Sequence, residues 1–124
     1  MKELLLVCIG SFFGGGTRYL VSKLFQTWIT TPFPWATLTV NVLGCFIIGL
    51  LSGMSIGGQI SQTTKLILTT GFCGGFTTFS TFMNENFMLT NNHATLYAIL
   101  YTLLSLALGF IALLIGYQFA KYIE

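Results

Sequence analysis

The run from Leu66 to Asn84 carries no charged side chain. It is long enough to cross a bilayer, which takes about 20 residues of helix. Its centre, Gly71-Phe72-Cys73-Gly74-Gly75-Phe76-Thr77-Thr78-Phe79-Ser80-Thr81-Phe82, is nevertheless a poor anchor. A segment built only to sit in lipid would be mostly leucine; this one is glycine, hydroxyl and phenylalanine. Non-helical backbone survives at membrane depth only where protein or a water-lined cavity satisfies its polar groups. The stretch is therefore read as a broken span and a functional site, with Gly74-Gly75 leaving helical geometry cheaply.

The rest of the chain fits that reading. Of its 124 residues 54% are hydrophobic and 6% charged, against roughly 25% charged in soluble domains. Too little polar surface is available for a soluble fold. Residues 1–124 are expected to form a single four-helix transmembrane domain, an all-α integral membrane protein of the multi-pass kind. A net charge of +2 gives no basis for binding nucleic acid. Cys8, Cys45 and Cys73 form no CxxC pair and lie in apolar runs, so they read as buried free thiols. Met1-Lys2-Glu3 and the apolar run after it resemble a signal peptide, but Gly14-Gly15-Gly16 and Arg18 argue for a retained first helix.

Charges and turn residues place the spans at about Leu4–Ser22, Trp35–Met54, Lys65–Leu89 and Thr95–Tyr122. Thr30-Thr31-Pro32-Phe33-Pro34, with Trp28 and Trp35, reads as a loop at an aromatic interface belt. An even number of spans puts Lys2, Lys65 and Lys121 on one side and Arg18 and Lys23 on the other. Orientation follows Lys/Arg asymmetry, and three against two is almost none. Either the chain inserts both ways, which would permit an antiparallel pair, or its few charges simply give a weak orientation signal. Small residues at Gly49, Gly53, Ser105, Gly109, Ala112 and Gly116 allow close helix approach, and four helices barely enclose a pore, so self-association is expected.

Asn41 lies mid-span, where an unpartnered amide is costly; it is read either as a functional residue or as hydrogen-bonding glue between helices. Thr37 is one turn earlier, so the two could form a donor track. Phe72, Phe76, Phe79 and Phe82 follow helical spacing. A phenyl ring has a negative face and a positive edge, so ring edges and hydroxyl or amide donors could hold an anion without a fixed cation. Glu85 is the one carboxylate within a span, and is either interfacial or at the mouth of an ion path. Tyr97, Tyr101, Thr102 and Ser105 add donors on the fourth span; the tyrosines also read as interface anchors. His93 reads as solvated. One histidine and three acids, two of them terminal, assemble no catalytic constellation.

These motifs together resemble the CrcB/Fluc fluoride-channel family. Gly10-Ser11-Phe12-Phe13-Gly14-Gly15-Gly16-Thr17-Arg18-Tyr19 is similar to its opening GGxxGAxxRY. Thr37-Leu38-Thr39-Val40-Asn41-Val42-Leu43-Gly44 is similar to its TLxVNxxG. Gly71 to Glu85 is similar to its GxxGGxTTFSTF…E. The match covers the first three helices in order. Ser11, Ala36 and Met83 depart from the pattern.

The resemblance implies a dual-topology homodimer in the bacterial inner membrane, with two antiparallel fluoride pores and a structural sodium ion at its centre. By position it makes Phe79, Phe82, Asn41, Thr37 and Ser105 pore residues and puts Arg18 at the vestibule. Gly74 and Thr77 would hold the sodium through backbone carbonyls. The implied activity is passive, fluoride-selective export that lowers cytoplasmic fluoride. Two rivals are a proton-coupled multidrug exporter, which needs a carboxylate deep in span one that is absent here, and a non-transporting membrane scaffold subunit.

Overall fold

The computed structural model describes residues 1–123, and its ordered elements are all helical. Four helical stretches are long and apolar enough to cross a membrane: Lys2–Trp28, Trp35–Ile56, Gln62–Asn91 and Thr95–Tyr122. The first, α1 (Lys2–Trp28), and the second, α2 (Trp35–Ile56), are continuous. The third is composite: α3 (Gln62–Lys65), a π-helical segment Leu66–Cys73, α4 (Gly74–Phe76), then α5 (Ser80–Asn91). The fourth is α6 (Thr95–Tyr122).

The first helix runs six residues past the expected Ser22, because nothing before the Thr30–Pro34 loop interrupts it. The third starts three residues early, at a cap where Ser61 Oγ accepts from the Thr64 amide at 3.1 Å. His93 ends the polar turn after α5 with φ 63°, a left-handed conformation that its exposed side chain tolerates.

The third span is broken, but not at its glycines. Gly74 is helical at φ −61°, ψ −36°. The chain leaves the helix at Thr77, which is extended at φ −86°, ψ 161°, and re-enters through Phe79 at φ −94°, ψ −39°. The glycines serve close approach instead. A Cβ on Gly75 would stand 2.6 Å from Ser11 O, and one on Gly71 3.0 Å from Gly10 Cα. Cβ atoms on Gly10 and Gly14 would overlap the carbonyl oxygens of Ile67 and Phe72. So α1 lies backbone to backbone against the first half of the third span. Ser11 turns its departure from glycine to use, donating to Gly71 O at 3.2 Å.

The second close seam joins α2 to α6. Cβ atoms on Gly49 and Gly116 would overlap Leu113 O and Phe46 O, and one on Gly53 would stand 2.5 Å from Ala120 Cβ. The small residues of these two helices are therefore used within one copy of the chain. Of the three cysteines, Cys73 is buried and Cys45 half-buried, but Cys8 is exposed on the outer face of α1, which corrects the expectation of three buried thiols.

Two glycines on the same α6 face separate close approach from mere smallness. Gly116→Ala is expected to lose about 1–3 kcal/mol, the scale of overpacking, read from unfolding in detergent. Gly109→Ala, whose Cβ would make an ordinary 3.4 Å contact with Cys45 Sγ, is expected to stay within about 1 kcal/mol of the parent. Equal effects would contradict the seam.

Candidate functional site

The break frees backbone groups, and two side chains from other helices meet them. Asn41, midway along α2, clasps Thr78: its Nδ2 donates to Thr78 O at 3.0 Å and its Oδ1 accepts from the Thr78 amide at 2.8 Å. On the other side, Arg18 Nε of α1 donates to Gly75 O at 3.0 Å. The break is thus gripped from α2 and from α1. An amide carries two N–H donors, so Asn41 keeps one for another partner.

The same geometry takes the helical donors of Gly74 O and Thr77 O elsewhere. In a continuous helix Gly74 O would accept from the Thr78 amide, which is bound to Asn41. Thr77 O would accept from the Thr81 amide, which is bound to Thr78 Oγ1 at 3.3 Å. Gly74 is exposed, and a Cβ there would meet nothing nearer than Thr69 O at 4.0 Å. Close approach within the chain therefore explains Gly75 but not Gly74. Gly74 and Thr77, singled out in the sequence for their carbonyls, are thus among the residues whose oxygens lose their helical donors at the break.

A second network lies toward the loop end. Glu85 of α5 is half-buried, and its two carboxylate oxygens are both met: Thr37 Oγ1 donates to Oε2 at 2.9 Å and Tyr101 OH donates to Oε1 at 2.8 Å. Tyr101 is 0% exposed, so it is no interface anchor. It is the centre of a core with Leu38, Leu89 and Ala98. Thr37 is likewise buried. Thr37 and Asn41, one turn apart, do not form a free donor track, since Thr37 serves Glu85 and Asn41 serves Thr78. Next along α6, Thr102 Oγ1 donates to Asn86 Oδ1 at 3.1 Å, and Asn86 Nδ2 to Phe82 O at 3.1 Å.

Above Glu85 opens a cavity of about 740 Å³ between the loop after α1 and the end of α5, lined among others by Gln26, Thr37, Thr81, Glu85 and Asn92. Arg18 is not among its lining residues. Arg18 and Glu85 serve different places: Glu85 lines the cavity, while Arg18 is turned onto the break.

The four phenylalanines do not make one stripe, because the break falls between them. Phe72 and Phe76 stack at 5.5 Å before it. Phe79 and Phe82 follow it, with centroids 6.1 Å apart, and Phe82 sets its ring at 62° to Tyr101 at 4.9 Å. Phe79 is 73% exposed. One turn beyond Tyr101, Ser105 Oγ is buried without a hydrogen-bond partner, which leaves an unspent donor beside the network. Among the described residues no three His, Cys, Asp or Glu side chains gather to hold a metal.

A family described as CrcB-like protein, Camphor Resistance (CrcB), matches residues 5–117. A protein of Chlorobium chlorochromatii, named Fluoride-specific ion channel FluC, is 49% identical over 121 residues, covering 97% of this chain and 93% of the relative. Proteins of the same name from Chlorobaculum tepidum and Flavobacterium psychrophilum are 48% and 39% identical, each over 122 residues and 98% of this chain, and over 96% and 98% of the relatives. The chain belongs to the CrcB family and is a multi-pass membrane protein.

Tyr101→Phe keeps the packing on Phe82 but removes one of the two donors to a half-buried carboxylate. It is expected to cost about 1–3 kcal/mol in unfolding of the detergent-solubilised protein. Glu85→Gln is expected to cost less in that background than alone, since the pair is coupled. Additive losses would contradict the network.

Proposed function

We propose that this chain is a fluoride-selective passive channel that lets fluoride leave the cytoplasm, built as an antiparallel homodimer of oppositely inserted copies in a bacterial inner membrane. The observation that carries the reading is identity of 39–49% over nearly the whole length with relatives named as fluoride-specific channels. The site supplies a means. Fluoride is small and tightly hydrated, so it needs donors in place of water at every step. Ser105 Oγ and the second N–H of Asn41 are unspent donors at membrane depth. The edges of Phe79 and Phe82 add positive potential without a charge that would trap the ion. The Thr37 and Tyr101 hydroxyls are turned toward Glu85, so an anion leaving the cavity competes with a carboxylate for them.

A second copy is supported by what one copy leaves uncovered. Thr70, Gly74, Ser80 and Asn84 are all exposed on the third span. Polar groups facing lipid at that depth are expensive, and a partner copy would cover them. The near-even split of Lys2, Lys65 and Lys121 against Arg18 and Lys23 favours opposite insertion. The released carbonyls of Gly74 and Thr77 fit a hard monovalent cation, for which oxygen ligands suit, and the family resemblance makes it sodium. Bound between two copies, it would tie the loosened backbones together. No carboxylate lies deep in α1 to drive proton-coupled export; Glu85 belongs to α5.

Liposomes containing only this protein are expected to release fluoride far faster than chloride with no proton gradient. Phe82→Ile, which keeps apolar bulk and removes the ring edge, is expected to lower fluoride efflux by tenfold or more, on the order of 1.4 kcal/mol. Equal rates for the two anions would overturn the selectivity.

A further inference from the structure

We infer that Arg18 is a positioning residue for the break in the third span, acting on the Gly75 peptide and not on an anion at the channel mouth. This rests on the channel reading above, but its evidence is geometric.

Gly75 O is the carbonyl that a continuous helix would pair with the Phe79 amide. Phe79 instead caps α5, and Arg18 Nε takes the carbonyl at 3.0 Å from 57 residues away in sequence. Position 75 leaves little room to move, since its ideal Cβ would lie 2.6 Å from Ser11 O and 3.0 Å from Gly15 N. Ser11, Gly15 and Arg18 follow one face of α1, at helical spacing. The close seam therefore carries the guanidinium to the point where the third span comes apart.

Occupying Gly75 O has a direct consequence. A carbonyl left bare at membrane depth needs another donor, and the one a continuous helix supplies is the Phe79 amide. Pairing those two would begin to rewind Thr77–Phe79 into helix. Rewinding would return regular donors to the carbonyls of Gly74 and Thr77. Asn41 blocks the same closure from α2 by holding Thr78. Arg18 suits its half of the task because a guanidinium presents a fixed Nε–H in a planar fork, whereas an ammonium is a mobile point donor.

The experiment compares the parent with Arg18→Gln and Arg18→Lys in lipid, using only monodisperse dimeric preparations. Hydrogen exchange at the Phe79 amide is read first, because it requires no transport. Both variants are expected to slow it by roughly tenfold or more, the scale of a gained backbone hydrogen bond. Unchanged or faster exchange overturns the proposal. So does Arg18→Lys matching the parent while Arg18→Gln does not, since charge alone would then suffice. The second reading is the sodium concentration that half-restores fluoride efflux after sodium has been replaced by a large organic cation. It is expected to rise roughly tenfold in both variants. An unchanged midpoint, with efflux lowered only at low ionic strength, would make Arg18 a surface attractor of anions and overturn the proposal. If the parent itself needs no sodium, the sodium reading falls, and exchange at Phe79 still decides the role of Arg18.

Discussion

One side-chain amide bonded to both polar groups of a single residue decides the course of the third span. Asn41 gives a hydrogen to Thr78 O and takes one from the Thr78 amide. A helix passing through Thr78 would need both groups for its own ladder. With them bound sideways to α2, Thr77 is extended and α5 starts afresh at Ser80. An unsatisfied peptide group buried at this depth costs several kcal/mol, so the clasp is a condition for the break to exist within a membrane. It also explains why an asparagine is tolerated in the middle of α2.

Much else follows from that constraint. The freed Gly75 carbonyl is met by Arg18, and the Gly74 and Thr77 carbonyls lose the amides a continuous helix would give them. Because the helix restarts at Ser80, Phe82 faces Tyr101 and Glu85 comes under the hydroxyls of Thr37 and Tyr101. Both glycine seams serve the same end, since only rigid neighbours can hold a broken span in register. α1 is clamped to the half before the break, and α2 is clamped to α6.

The existence of a break was legible because glycine, threonine and phenylalanine crowd a stretch that lipid alone would fill with leucine. Its position was not. Glycine signals both conformational freedom and close packing, and sequence does not say which. Gly75 proved to be packing, while the extended residue was Thr77, whose type gives no warning. The tyrosines were ambiguous for a similar reason. Tyr97 is 41% exposed but Tyr101 is sealed in the core, and only the carboxylate opposite, 16 residues away in sequence, distinguishes them. The family resemblance put Arg18 at a vestibule. Here a released carbonyl competes for it. The span count, the loop at Thr30–Pro34 and the fourth helix were plain, since hydropathy and prolines fix them without tertiary help.

The account's central claim is that Asn41 holds Thr77 and Thr78 out of helical geometry. Backbone carbon chemical shifts of isotopically labelled threonines and phenylalanines in lipid test it most directly. The parent protein should show an extended shift pattern at Thr77, flanked by helical patterns at Phe76 and Thr81. Asn41→Leu, which fills the space but offers no hydrogen bond, should move Thr77 toward helical values. A helical Thr77 in the parent, or an extended Thr77 that survives the substitution unchanged, would contradict it.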